Sequence, residues 1–150
     1  MELKKLMVDT KSMWIDFTGI DGFSVEVVNL SRKELTALRK KCTITKYNRR
    51  TRQPEENLDE DKFITEFSAA TIKNWKGLTL EKLQDLLLID IGDQAPLAEL
   101  EYSLDNAETL VNSSTEFDTW LNEVVFDLDN FRSQPERTSA PKVRKPTEKQ

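Results

Sequence analysis

The chain contains no histidine, one cysteine (Cys42) and only four glycines among its 150 residues. Without histidine it lacks the commonest general base and the commonest metal ligand of proteins. A single cysteine cannot form an internal disulfide, and without histidine beside it no ordinary zinc or iron–sulfur site can be built. The glycines form neither a phosphate-binding loop nor a dinucleotide-binding fingerprint. These absences favour a binding protein over an enzyme, and they predict no cofactor and no metal.

Carboxylates are the remaining candidates for chemistry. Asp127-Leu-Asp129-Asn130 begins like a calcium-binding loop, but the glycine expected at its sixth position and the glutamate at its twelfth are missing. Asp59-Glu-Asp61 can hold a cation weakly, although acids at this place are typical of a helix N-terminus, where they face the positive end of the helix dipole. We therefore expect a helix start there rather than a metal site.

Long apolar runs are also absent. No stretch approaches the ~18 apolar residues of a membrane span, and the first ten residues lack the apolar core of a signal peptide. The lone cysteine fits a reducing compartment. We expect a cytoplasmic protein with no membrane partner, and the net charge of −5 argues against a general affinity for nucleic acid.

The apolar pattern predicts an α+β fold that is mostly helical. Residues 13–30 alternate in the manner of two strands around Gly19–Gly22, which predicts an N-terminal β-hairpin. Thr43–Tyr47 is β-prone and Asn48–Pro54 is rich in turn residues, so a second hairpin over residues 43–57, or an extended loop, is expected.

About five helices should pack on these hairpins, because capping residues precede five segments of helical spacing. The first expected helix begins at Arg32 after Ser31, and the second extends from Asp59 to Gly77. The third extends from Leu80, after Thr79, to Leu88, and the fourth from Leu104, after Ser103, to Val111. The fifth follows the capping box Ser113-Ser-Thr-Glu116 and extends to about Phe131. The last helix carries one apolar stripe, formed by Phe117, Trp120, Leu121, Val124, Leu128 and Phe131.

Aromatic and apolar side chains form the first candidate partner-binding set. Val125 and Phe126 lie off the main stripe of the last helix, so that helix is either wedged into the fold or presents a docking face. The candidate docking residues are Trp75, Phe117, Trp120, Val125 and Phe126. Burial in the domain core is the competing interpretation, because stripes at helical spacing are mostly core.

Basic side chains form the second candidate set. No acid interrupts the sequence from Arg39 to Arg52, a segment that ends in Arg49, Arg50 and Arg52. This segment can bind phosphate groups, or it can be a solvated hairpin balanced by the acids that follow it. Residues 132–150 have a composition typical of disorder and carry +4, which leaves −9 on residues 1–131. We therefore expect a folded domain over 1–131 and a disordered basic tail over 132–150.

Several segments together resemble the tail assembly chaperones of long-tailed bacteriophages. They are Gly22-Phe-Ser-Val25 with Leu30-Ser-Arg-Lys-Glu-Leu35, Lys73-Asn-Trp-Lys-Gly-Leu-Thr79, Glu101-Tyr-Ser-Leu-Asp-Asn-Ala107, Phe117-Asp-Thr-Trp-Leu-Asn-Glu-Val-Val125 and Asp127-Leu-Asp-Asn-Phe131. The resemblance covers most of residues 14–132. It implies a non-catalytic protein of the host cell cytoplasm that binds the long, helical, apolar tape-measure protein and keeps it soluble during tail assembly.

The major tail protein and a second copy of the chain are further candidate partners. Two other hypotheses compete with the chaperone role. One is a structural tail or connector component of the virion, and the other is a small nucleic-acid-associated regulator that uses residues 39–52 and the tail.

Overall fold

A three-stranded antiparallel sheet forms the centre of the fold. The computed structural model describes residues 1–7 and 12–132. Strands β1 (Ser12–Asp16) and β2 (Ser24–Val28) form the predicted N-terminal hairpin, and strand β5 (Ile72–Lys76) pairs with the other edge of β2. Val25 and Val27 of β2 are fully buried, whereas Trp14 of β1 lies on the outer face of the sheet, where Lys76 Nζ is 4.7 Å from its ring centre.

The second predicted hairpin is also present, so residues 43–57 do not form the extended loop that was the alternative. Strands β3 (Thr43–Asn48) and β4 (Gln53–Leu58) pair with each other in a separate two-stranded sheet. The α+β class is therefore confirmed, with two small antiparallel sheets.

Six helices occur among the described residues, two of them one turn long. They are α1 (Leu3–Leu6), α2 (Arg32–Lys41), α3 (Glu60–Thr71), α4 (Leu80–Leu83), α5 (Leu104–Ser113) and α6 (Thr115–Val125), and a 3₁₀ turn (Leu128–Phe131) follows α6. The buried residues of both the sheet and the helices belong to one apolar cluster.

Side-chain caps set the helix starts, as the sequence predicts. Ser31 Oγ accepts a hydrogen bond from the Glu34 amide at 3.1 Å, and Glu34 Oε1 accepts one from the Ser31 amide at 3.0 Å, so the capping box is complete. Thr79 and Ser103 cap their helices in the same way as Asp59. The cap of α6 is Ser114 rather than Ser113, and Ser114 also terminates α5.

The helix predicted to run from Asp59 to Gly77 is wrong in its last third. Helix α3 ends at Thr71, and Ile72–Lys76 is β5. The register of β5 against β2 shifts at a β-bulge, so that Ile72 lies opposite Val27 while Trp75 lies opposite Val25. Because the bulge adds one residue, two side chains three positions apart both reach the core from a strand. That spacing is the one a helix produces, which is why the periodicity was misleading.

Two other helices end earlier than the sequence predicts. Helix α4 stops at Leu83 rather than Leu88, and the turns that follow still place Leu86 in the core. Helix α6 stops at Val125 rather than near Phe131. The Asp127 carboxylate accepts a hydrogen bond from the Asp129 amide at 3.1 Å and so starts a separate turn. As a result Leu128, expected in the apolar stripe, is 55% exposed.

Two further expectations concern the C-terminal tail and membrane-spanning helices. The basic tail expected over 132–150 lies outside the described residues except for Arg132. Within residues 1–7 and 12–132, no helix is long and apolar enough to cross a membrane.

Candidate functional site

Most of the candidate docking aromatics lie in the core. Phe117 is fully buried, with ring centres 5.9 Å from Phe17, 6.3 Å from Phe23 and 5.7 Å from Trp120. Val125 is fully buried as well, and its carbonyl accepts hydrogen bonds from the Leu30 amide and the Asn29 side chain. Both side chains hold the domain together and are not available to a partner in this conformation.

Trp75 is buried through a specific set of contacts. Its indole N–H donates a hydrogen bond to the Leu100 carbonyl at 2.8 Å, and its ring meets Tyr102 edge to face at 5.3 Å. Tyr102 in turn donates to the Ile72 carbonyl at 2.9 Å, and burial raises the pKa of its phenol above the usual value. This network fastens residues 99–102 along β5, so the role of Trp75 is structural.

Trp120 reaches the surface only at the floor of a shallow groove. It is 8% exposed and packs on Phe17, with ring centres 5.1 Å apart. The groove is also lined by Thr18, Glu116, Thr119 and Glu123. Trp120 therefore offers a ring edge at most, between two carboxylates.

Phe126 is the one candidate aromatic that is exposed. It follows α6 and is 39% exposed, and its ring centre lies 6.4 Å from that of Phe67 in α3. Phe67 stacks on Phe63 one helical turn earlier at 5.6 Å, and the Arg39 guanidinium lies 5.6 Å from the Phe63 ring centre. We call Phe63, Phe67 and Phe126 the aromatic row. It joins α3 to the end of α6 and opens to solvent at Phe126, with Phe63 partly exposed at its other end.

The sequence alone did not identify this row as a unit. The spacing of Phe63 and Phe67 by four residues predicts that they share a helix face, and this is confirmed. The third member comes from a helix more than fifty positions later in the chain. No local pattern indicates that contact.

Residues 32–58, which comprise α2, β3 and β4, form a peripheral arm. Cys42 is the only buried residue in it. The arm contains nine basic and three acidic residues and so carries +6, whereas residues 1–31 and 59–132, which we call the body, carry −14. The predicted basic segment therefore lies in a basic arm that is attached to an acidic body.

The three candidate arginines lie at the far end of the arm. Arg49 and Arg50 lie in the exposed turn between β3 and β4, where Asn48 Oδ1 accepts hydrogen bonds from the Arg50 and Thr51 amides at 2.8 and 3.3 Å. Arg52 ends the turn with φ +60, a left-handed conformation that a non-glycine residue adopts at a cost of about 1–2 kcal/mol. All three belong to one exposed turn, and we call them the tip arginines.

Acids balance part of the basic charge, as the solvated-hairpin interpretation expects. Lys46 lies opposite Glu55 in the strand register, and Asn48 Nδ2 donates to Glu55 Oε1 at 2.8 Å. These contacts involve the strands rather than the turn. The tip arginines are exposed and lie beyond them.

The arm is held to the body by Leu35 and Leu38 of α2, which pack against the core, and by polar contacts at its base. The Asp59 amide donates to the Cys42 carbonyl at 2.8 Å, and Lys41 at the end of α2 forms an ion pair with Glu66 of α3. The hydrogen bond from Lys41, aided by its charge, lowers the pKa of the Glu66 carboxyl. The same contact raises the pKa of Lys41.

Acidification should loosen the base of the arm. Since the pKa of Glu66 is lower in the folded protein than its ordinary 4.5, its contribution to stability is present above that value and is lost as the pH falls through the folded pKa. In a carbon-detected NMR titration, we expect the Glu66 carboxyl to titrate below its ordinary value and the Asp59 amide to lose protection as it does. A Glu66→Gln variant should show no such step at Asp59. Titration of Glu66 at or above its ordinary pKa would contradict the expectation.

No group of three acidic or cysteine side chains in the described residues is arranged to hold a metal ion. No protein-family model matches the chain, and no match to it was found among curated proteins or solved structures. Two surface features remain as candidates for binding a partner: the exposed end of the aromatic row and the basic arm.

Proposed function

We propose that this chain is a non-catalytic tail assembly chaperone that binds a long helical protein, the tape-measure protein, and keeps it dissolved in the host cytoplasm while the tail assembles. The family is suggested by the ordered motifs that resemble those chaperones. The observation that supports the binding role is the aromatic row, which is apolar, built on helices and open to solvent at Phe126.

The chemistry of the row suits an apolar helix as client. An amphipathic helix binds by laying its apolar side chains into a groove, and aromatic rings supply a large contact area. Arg39 beside Phe63 adds a cation at one end of the row. The −14 charge of the body keeps a complex with an apolar client in solution, because like-charged complexes repel one another.

Co-expression with the tape-measure protein of the same phage tests the proposal. We expect the client to move into the soluble fraction and to co-purify with the wild-type chain, and Phe126→Ser should reduce this recovery severalfold. Leu97→Ser is the matched control, because Leu97 is also an exposed apolar residue, at 74%, but lies in a loop outside the row. It should behave as wild type.

Two results would count against the chaperone role. If the client is equally insoluble with and without the chain, the chain is not its chaperone. If the chain is instead found by mass spectrometry as a stoichiometric component of purified virions, the structural hypothesis replaces it. Equal loss of recovery with Phe126→Ser and Leu97→Ser would remove the aromatic row from the binding surface while leaving the role intact.

A further inference from the structure

The hairpin of the arm has two long edges, and hydrogen bonding fixes which amides point outward. At the base of the hairpin Cys42 lies opposite Asp59, and the Asp59 amide donates a hydrogen bond to the Cys42 carbonyl. These two residues therefore occupy a hydrogen-bonded position of the ladder. In an antiparallel ladder such pairs alternate with pairs whose amides point away from the partner strand. The outward amides of β3 are therefore those of Thr43, Thr45 and Tyr47.

The opposite edge gives the same alternation independently. Pro54 lies opposite Tyr47 and has no N–H, so it fits an outward-facing position of β4. It also closes that edge, since a strand added along β4 would lack a donor at Pro54 and would face Glu55 and Glu56. Strand β3 contains neither proline nor acid, and its Thr, Ile and Tyr residues are good strand formers.

Other segments lie against both outer strands of the three-stranded sheet. The 3₁₀ turn after α6 packs against β1, and residues 99–102 are fastened along β5 by the side chains of Trp75 and Tyr102. Within residues 1–7 and 12–132, β3 packs closely with β4 alone, and all its residues except Asn48 are exposed. An uncovered edge of this kind is a template for a further strand.

We propose that the outer edge of β3 accepts an extended acidic segment of a partner protein as a third strand. The three outward residues of β3 supply backbone donors and acceptors for the added strand. Lys46 and the tip arginines lie along and beyond this edge, and charge complementarity selects carboxylates in the segment. This binding is separate from the aromatic row and does not depend on the chaperone role.

Charge argues against a second copy of β3 as the added strand. Antiparallel pairing of two copies would place the tip arginines of one beside Arg39, Lys40 and Lys41 at the base of the other. Parallel pairing would place the two tips side by side. Both arrangements bring like charges together, which disfavours them.

Nucleic acid fits the edge less well than an acidic strand. Single-stranded nucleic acid is held by stacking of its bases on several aromatic rings, and the hairpin offers only Tyr47, which is 64% exposed. The acidic body adds repulsion for a phosphate backbone. An oligonucleotide is therefore the alternative that the experiment must separate.

The test uses the full chain and fluorescein-labelled peptides of about ten residues in which Glu alternates with Val or Thr, read by fluorescence anisotropy. We expect saturable binding at or below about 1 mM, and a loss of about tenfold or more when the Val and Thr amides are N-methylated, which keeps the charge but removes the backbone donors. A peptide with Lys in place of Glu should not bind. Arg49→Glu with Arg50→Glu should weaken binding of the Glu peptide severalfold, because the charge of the arm falls from +6 to +2.

Variants of the two edges identify the strand involved. Thr45→Pro removes an outward amide of β3 and should weaken binding about tenfold or more, whereas Thr45→Ala keeps the amide and should bind as wild type. Glu56→Pro removes an outward amide of β4 and should not weaken binding. Circular dichroism of each variant checks that the fold is retained.

The proposal would be overturned by any of three results. The first is no binding of the Glu peptide at about 1 mM. The second is equal binding of the N-methylated peptide, which would mean charge attraction without strand addition. The third is a single-stranded oligonucleotide that binds more tightly than the Glu peptide and loses binding on Thr45→Pro.

Discussion

Replacing Gly77 by Ala should destabilise the protein by about 3 kcal/mol or more, a large part of the roughly 5–15 kcal/mol that a domain has. Gly77 has φ +79, and a Cβ built on it would lie 1.9 Å from the carbonyl oxygen of Gly22 and 3.4 Å from Phe23 Cα. The obstacle is backbone in the turn of the first hairpin. Relief of the clash therefore requires the end of β5 to move away from the core.

Gly92→Ala is the matched control for this prediction. Gly92 also has a left-handed conformation, with φ +58, but nothing lies within 4 Å of its Cβ position. It should lose only the left-handed preference, about 1–2 kcal/mol. Urea unfolding followed by circular dichroism measures both variants. Equal losses would mean that the close approach of Gly77 to Gly22 does not exist in solution.

Phe117→Ala should cost about 3–5 kcal/mol of unfolding free energy, because it leaves a cavity among Phe17, Phe23 and Trp120. Phe126→Ala should cost less than about 1 kcal/mol, because that side chain is partly exposed and contacts the edge of the core. The same urea experiment compares them. A loss at Phe126 as large as at Phe117 would place Phe126 in the core and remove it from the aromatic row as a binding surface.

Local signals were the part of the fold that the sequence predicted well. Each cap acts within three or four residues of its own side chain, so Ser31, Asp59, Thr79 and Ser103 mark their helices without reference to the rest of the chain. The alternation of β1 and β2 around Gly19 and Gly22 is local in the same sense. The second hairpin followed from a β-prone run next to a turn-rich one.

The wrong prediction at β5 has a distant cause, unlike the early end of α6, which the local Asp127 turn explains. The β5 strand exists because β2, more than forty residues earlier, offers an edge, and the bulge gives its buried residues a helical spacing. The same limit applies to the candidate binding residues. Periodicity places Val125 and Phe126 both off the main stripe, but only packing determines that Val125 is core and Phe126 is surface.

Arg39 links the basic arm to the aromatic row. This residue belongs to the basic arm, yet its guanidinium lies over Phe63 at one end of the aromatic row. A client that joins an apolar helix to an acidic extended segment, through a linker long enough to span the two surfaces, would engage both. Joined segments of this kind bind more tightly than either alone, because the second contact becomes intramolecular.

Cys42 connects the arm to the body and is fully buried, and it is the only thiol in the chain. A thiolate reacts with an alkylating reagent only when the reagent can reach it. Alkylation of Cys42 therefore requires an opening that exposes it, and its rate reports how often such an opening occurs. Cys42 is therefore an intrinsic probe for opening at the base of the arm.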